Sequence, residues 1–220
     1  MQLLINNLLN PIYIQIFIFL VLLFNSKSLF PQEITNGFVM EKRFADKYKK
    51  LLESTLIFLD NLEPKLLVID KDVYKEKSKF EEIFQFSYSP KKIRSWLNQR
   101  IKKVIIDKSN FYIAQYYNGQ LSLDPTFFEL SKLDQILVLI HEARHADGNF
   151  SHIKCPNVFP FLSIRNPEIN LENEYACDSI TNGCYGASAA FLYELISYGI
   201  LNQELLIGKY NSELARIIRK

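Results

Sequence analysis

The stretch "SKLDQILVLIHEARHADG", residues 131–148, decides the fold that the sequence predicts. Four apolar side chains recur at helical spacing and indicate an amphipathic helix: Leu133, Ile136, Leu137 and Ile140. Ser131 stands where a helix N-cap is expected, and Gly148 stands where the helix would end. The predicted helix therefore carries His141, Glu142 and His145 in its last turns.

These three residues have the spacing of a catalytic metal site. Residues four apart are neighbours on a helix, so His141 and His145 can both reach one ion, and imidazole nitrogen is a usual zinc ligand. Glu142 is rotated by about 100° from His141, which puts it beside the metal. Zinc lowers the pKa of a bound water toward about 7, and a carboxylate in that position can take the proton as a general base. The competing interpretation is a plain helix with two surface histidines.

The segments around this helix predict an α+β fold. The stretch "FYIAQYYNGQLSLDPTFF", residues 111–128, contains Asn118-Gly119 between two strand-like runs, which is a strong hairpin signal. Helical patterns are found over residues 41–62 and 89–103, and residues 65–70 resemble a short strand. Residues 168–199 again predict helix, either continuous or divided at its glycines. We expect a small mixed sheet with a hairpin edge strand, the active-site helix and a second ligand-bearing helix.

The first residues differ in kind from the rest. Ile12–Phe24 is an apolar run broken only by Gln15. It suits the hydrophobic region of a signal peptide and is shorter than the about 20 residues of a spanning helix. We predict that residues 1–28 are a signal peptide, with an uncleaved membrane anchor at residues 12–24 as the alternative. Residues 29–220 would form a single domain, located outside the cytoplasm.

Charge and cysteines limit the partners and the compartment. The formal net charge is only +2, which argues against a nucleic-acid partner, and membrane contact is expected only if the apolar segment stays attached. An exported chain meets an oxidising compartment, so one disulfide is expected. If Cys177 and Cys184 share a helix, they are about 10 Å apart along it and cannot bridge. Cys155 then pairs with one of them, and Cys177 is the favoured partner.

The segment His-Glu-Ala-Arg-His resembles the HExxH zincin metallopeptidases, and the likeness covers roughly residues 105–200. A wider set of short strings, "HEARH", "HIKCP", "CD" and "GCYG", also resembles a group of bacterial exported proteins. In the zincins a strand before the active-site helix forms the sheet edge that binds an extended substrate. The stretch "NGQLSLDP", residues 118–125, is similar to that strand.

The resemblance offers several third zinc ligands. "NEYACD", residues 173–178, is similar to the second-helix motif of the gluzincin branch, which implies Glu174 as the ligand and Asp178 as a partner of a ligand histidine. The rival pattern, HExxHxxGxxH of the metzincins, implies His152, which comes one residue late. Asp178 as a direct ligand is a further alternative.

The sequence thus predicts a zinc-dependent metallopeptidase that cleaves a peptide or protein substrate. His141, His145 and Glu174 would bind Zn²⁺, and Glu142 would be the catalytic base. Tyr175 and Tyr185 are candidate hydrogen-bond donors to a reacting oxygen, although aromatic residues on a buried helix more often belong to the core. The alternative function is an exported zinc-binding structural module without turnover.

Overall fold

The hairpin and the helix predicted at the centre of the chain are both present in the structure. The structure is a computed structural model that describes residues 32–35, 38–41, 46–64, 79–108, 112–148, 150–157, 161–162 and 168–218. The predictions for residues 1–28 and 65–70 lie outside these ranges. All described residues except Gln32 belong to one compact unit, Glu33–Lys220.

Seven strands and six helices of the described residues make an α+β protein. The strands are β1 Gln32–Thr35, β2 Phe38–Glu41, β3 Lys103–Ile106, β4 Ala114–Tyr117, β5 Gln120–Leu123, β6 Ile153–Lys154 and β7 Tyr175–Cys177. The helices are α1 Asp46–Asp60, α2 Phe80–Phe84, α3 Pro90–Arg100, α4 Lys132–Arg144, α5 Cys184–Ser197 and α6 Gln203–Ala215. No helix among the described residues is long and apolar enough to cross a membrane.

The five-stranded sheet is mixed, as expected, with the order β1-β2-β3-β5-β4. Strand β3 pairs in parallel with β2 and β5, and β4 pairs antiparallel with β5. Asn118 and Gly119 both have positive φ, 48° and 82°, which suits the tight turn of a two-residue hairpin. One detail of the prediction is wrong: β5, within "NGQLSLDP", is an inner strand because it pairs on both sides. Of the two hairpin strands, β4 is the one at an edge of the sheet.

Helix α4 is the central helix of the domain. The Ser131 hydroxyl accepts the backbone N–H of Asp134 at 3.2 Å, which confirms the predicted N-cap. The helix packs against α1, α3, α5 and β4 through a buried face. That face comprises Leu133, Ile136, Leu137, Leu139, Ile140 and Ala143. Burial of this stripe fixes which way the opposite face, with His141 and Glu142, is turned.

The predicted helix over residues 168–199 is only partly correct. Its second half forms α5, but Tyr175–Cys177 is a strand that pairs antiparallel with β6. Gly183 lies at the start of α5, where a Cβ would come within 2.4 Å of the Asp178 carboxylate. At Gly186 a Cβ would lie 2.0 Å from the carbonyl oxygen of Thr181. The two glycines therefore let the chain of residues 178–181 fold back closely onto the start of α5.

This packing predicts opposite effects for two helix glycines. Gly186→Ala should lower the free energy of unfolding by at least about 2 kcal/mol, because the added methyl group meets rigid backbone. Gly208→Ala on α6 should raise it by about 1 kcal/mol, since nothing lies within 4 Å of its Cβ position and alanine favours helix. Urea unfolding of both variants measures the two changes. A tolerated Gly186→Ala would contradict the close approach.

Candidate metal centre

His141 and His145 lie at the end of α4, where the predicted spacing brings them together. His141 is in the last full turn, and His145 begins a short 3-10 turn that extends to Asp147. Their ring centroids are 5.4 Å apart. The i, i+4 relation therefore directs both imidazoles into the same space, as the sequence predicted.

The third member of the group is His152. After Gly148 the chain turns back toward α4, and the His152 ring lies 4.9 Å from each of the other two rings, centroid to centroid. One ring nitrogen of each histidine lies within 4.8 Å of the others, and Nε2 of His141 is 3.0 Å from Nε2 of His152. Two nitrogens bound to one zinc ion stand about 3.3 Å apart in tetrahedral geometry. The three imidazoles are thus placed to hold a metal ion.

Hydrogen bonds on the far side of two rings fix their orientation. Nδ1 of His145 lies 2.8 Å from the carbonyl oxygen of Phe150, and Nδ1 of His152 lies 2.8 Å from a carboxylate oxygen of Asp178. A carbonyl oxygen and an ionised carboxylate can only accept a hydrogen bond. Both histidines therefore carry their proton on Nδ1. The Nε2 lone pairs are therefore free for a metal, which is the usual arrangement of ligand histidines.

Burial favours the neutral form of the helix histidines. It lowers the pKa of His141 well below its ordinary value, and the neighbouring charges of His152, His145 and Arg216 act in the same direction. Burial also lowers the pKa of His145. A neutral imidazole is the form that binds metal, so this environment supports ligation near neutral pH.

Glu142 lies next to the histidines and lines the same pocket. Burial raises its pKa to about 7, opposed by the charge of His152 and by the backbone N–H of Tyr116, which donates to its carboxylate. Tyr116 belongs to β4, the sheet edge. The general-base candidate is therefore held between the histidine cluster and the edge strand, where a carboxylate can exchange protons at neutral pH.

The structure separates the two residues that the gluzincin resemblance placed on one helix. Glu174 precedes β7, its side chain is exposed, and its backbone carbonyl accepts the N–H of Cys155 at 2.9 Å. It lines the pocket, but among the described residues it does not belong to the group that could hold a metal ion. Asp178 orients His152, which is the orienting role that the resemblance implied for it.

A disulfide fixes the segment that carries His152. Cys155 and Cys177 are bonded, as the sequence favoured, and Cys184 is a buried free thiol. Cys155 follows His152 by three residues, and Cys177 directly precedes Asp178. The covalent bond therefore joins the strand that delivers the third histidine to the strand that delivers its hydrogen-bond partner. Such a bond is compatible with an oxidising, extracytoplasmic compartment.

Three further side chains from the second half of the chain complete the pocket. The Tyr185 ring lies 4.6 Å from that of His141, and its backbone N–H donates to Asp178 at 2.9 Å. Glu213 and Arg216, at the end of α6, are buried and line the same pocket. Tyr175, the other candidate donor, is 64% exposed. Glu213 and Arg216 belong to no recognisable sequence motif, and only the tertiary fold brings them near the histidines.

The pocket that contains these groups has a volume of about 1910 Å³. Residues 112–118, which include β4, line one side of it, and α4 lies beneath. Pockets for small molecules typically measure about 300–1,000 Å³, so this one has room for a larger ligand. The chain matches no protein-family model, no curated protein and no solved structure.

The cluster predicts which residues control metal binding. Zinc bound per chain, measured by elemental analysis after dialysis, should fall in His152→Ala and stay near that of the native protein in Glu174→Ala. Asp178→Asn should weaken zinc affinity by about 10- to 100-fold, because His152 loses its charged partner. Loss of zinc in Glu174→Ala with retention in His152→Ala would restore Glu174 as the third ligand.

The disulfide predicts a link between redox state and stability. The disulfide closes a loop with a sequence separation of 22, and its removal should lower the free energy of unfolding by about 3 kcal/mol. Zinc affinity should fall as well, because the strands that carry His152 and Asp178 are then joined only by hydrogen bonds. The Cys155→Ser, Cys177→Ser double variant tests both effects by comparison with the native protein. Unchanged zinc affinity in the double variant would show that the hydrogen bonds suffice.

Proposed function

We propose that the protein is a zinc-dependent peptidase of the HExxH type, with His141, His145 and His152 as the metal ligands. The observation that carries the proposal is the convergence of three imidazole nitrogens in a pocket that Glu142 also lines. The ligand set is nitrogen-only, and a carboxylate and a carbonyl orient two of its rings, which suits zinc. Its chemistry departs from the sequence prediction in one residue, because His152 takes the place of Glu174.

Each part of the site has a role in peptide hydrolysis. A bound zinc ion supplies Lewis acidity, which lowers the pKa of water and polarises a carbonyl. Glu142 accepts the proton of the attacking water and returns it to the departing amine, a transfer that suits a carboxyl of raised pKa. Tyr185, packed against His141, supplies a hydroxyl at the reacting carbonyl oxygen.

The edge strand supplies the site for the substrate backbone. Within the described strands β4 pairs with β5 alone, and it lines the pocket together with Glu142. A substrate in extended conformation can add to such an edge as a further strand through main-chain hydrogen bonds. This mode requires little of the substrate sequence, so it suits a peptide or protein substrate. The disulfide is compatible with work outside the cytoplasm, where we place the enzyme.

The function is tested by separating metal binding from turnover. Glu142→Gln should retain zinc, since Glu142 is not in the histidine cluster, and should lose peptide hydrolysis by about 100- to 10,000-fold. The measurement is release of fluorescence from labelled casein and from a quenched peptide library by the zinc-loaded protein. Glu204→Gln, an exposed position on α6, is the control.

Two outcomes would contradict the proposal. If Glu142→Gln hydrolyses peptides as fast as the native protein, Glu142 is not the base. If the native, zinc-loaded protein shows no hydrolysis and the two proteins bind zinc equally, the site is a structural or binding module, as the alternative function holds.

A further inference from the structure

More acidic than basic side chains line the walls of the pocket. Among the described residues that line it, five are acidic and one is basic: Glu129, Asp134, Glu142, Glu174 and Glu213 against Arg216. One of these acidic residues already has a partner, because Asp134 forms an ion pair with Lys209, which does not line the pocket. The lining therefore offers more groups that can pair with a cation than with an anion.

Glu213 is the acidic residue of this group that is buried without forming, with any described residue, an ion pair or a side-chain hydrogen bond that would explain its place in the fold. Its side chain is only 8% exposed, near the end of α6. Among the described residues, none donates a hydrogen bond to its carboxyl group. Burial raises the pKa of Glu213 to about 8, with the charge of Arg216 opposing the rise. A carboxyl that lines a pocket and receives no hydrogen bond from the described residues can pair with a ligand that enters the pocket.

Arg216 does not fill that role, although it is close. Its backbone N–H bonds to the Glu213 carbonyl at 3.1 Å, but its guanidinium donates instead to the carbonyl oxygens of Ala176 and Leu162. The guanidinium also lies over the rings of Phe161 and Tyr185, at 5.7 and 5.8 Å from their centroids. Arg216 therefore connects the end of α6 to β7 and to the metal-site tyrosine, and Glu213 keeps a free carboxyl.

We propose that Glu213 forms a subsite that binds the basic side chain, lysine or arginine, of a peptide substrate at the metal centre. The inference rests on the proposed peptidase function and adds its substrate class. The position agrees with this role, because Glu213 and the Tyr185 that packs on His141 line one pocket and both adjoin Arg216. A bound ammonium or guanidinium group gives the carboxyl its missing partner, as a charge-assisted hydrogen bond.

The test measures binding apart from turnover. The probes are blocked octapeptides of alanine and glycine with one lysine, arginine, norleucine or glutamate, placed at each position in turn. Zinc-loaded Glu142→Gln protein binds them without hydrolysis, and fluorescence anisotropy gives the dissociation constants. At one position the lysine and arginine peptides should bind at least about tenfold more tightly than the norleucine peptide.

Adding Glu213→Gln to this protein should reduce the lysine-to-norleucine ratio to about one while norleucine binding is unchanged. Adding Glu204→Gln, the same chemical change at an exposed site on α6, should leave the ratio intact. Absence of binding, equal binding of all peptides, preference for glutamate or an unchanged ratio in Glu213→Gln would each overturn the proposal. Lysine-selective binding without hydrolysis by the native protein would overturn the peptidase function alone.

Discussion

The hydrogen bond between His152 and Asp178 is the interaction on which the rest of the site depends. His152 lies on the segment that returns from α4, and Asp178 lies 26 residues further along the chain. Asp178 also accepts the N–H of Tyr185 and pairs through its backbone with Arg216 and Ile218. Asp178 thus links the third histidine to the start of α5 through its carboxylate, and to the segment after α6 through its backbone. It fixes the imidazole tautomer and the course of three separate segments together.

The parts of the fold that were predictable are those that local sequence determines. Helix α4 has an N-cap at Ser131 and an apolar stripe, and the hairpin has Asn-Gly at its turn, so neighbouring residues specify both. Residues 168–178 are different, because β7 exists through pairing with β6 and through the bond from Cys177 to Cys155. These partners are distant in sequence, and helical spacing alone suggested the wrong element. Which strand of the hairpin is the sheet edge depends likewise on β3, a pairing that no local pattern reveals.

The site shows the same division. His141, Glu142 and His145 lie within one helical segment, and their spacing alone places them together. Whether His152 or Glu174 lies close to the two helix histidines depends on how the loop after Gly148 folds back, and no local pattern determines that. The resemblance to the gluzincins favoured Glu174 through a helix motif, but the chain forms strand β7 there. Glu213 and Arg216 are brought to the pocket by the packing of α6 on α5, which is a tertiary effect.

The pairing of residues 216–218 with Asp178 has a consequence for the order in which the site is completed. A chain made from its N-terminus presents His141, His145 and His152 well before these residues emerge. Until they do, Asp178 lacks its backbone partners, and Tyr185 lacks the guanidinium above its ring. The docking of the segment after α6 therefore has to precede the full ordering of Asp178, the hydrogen-bond partner of His152.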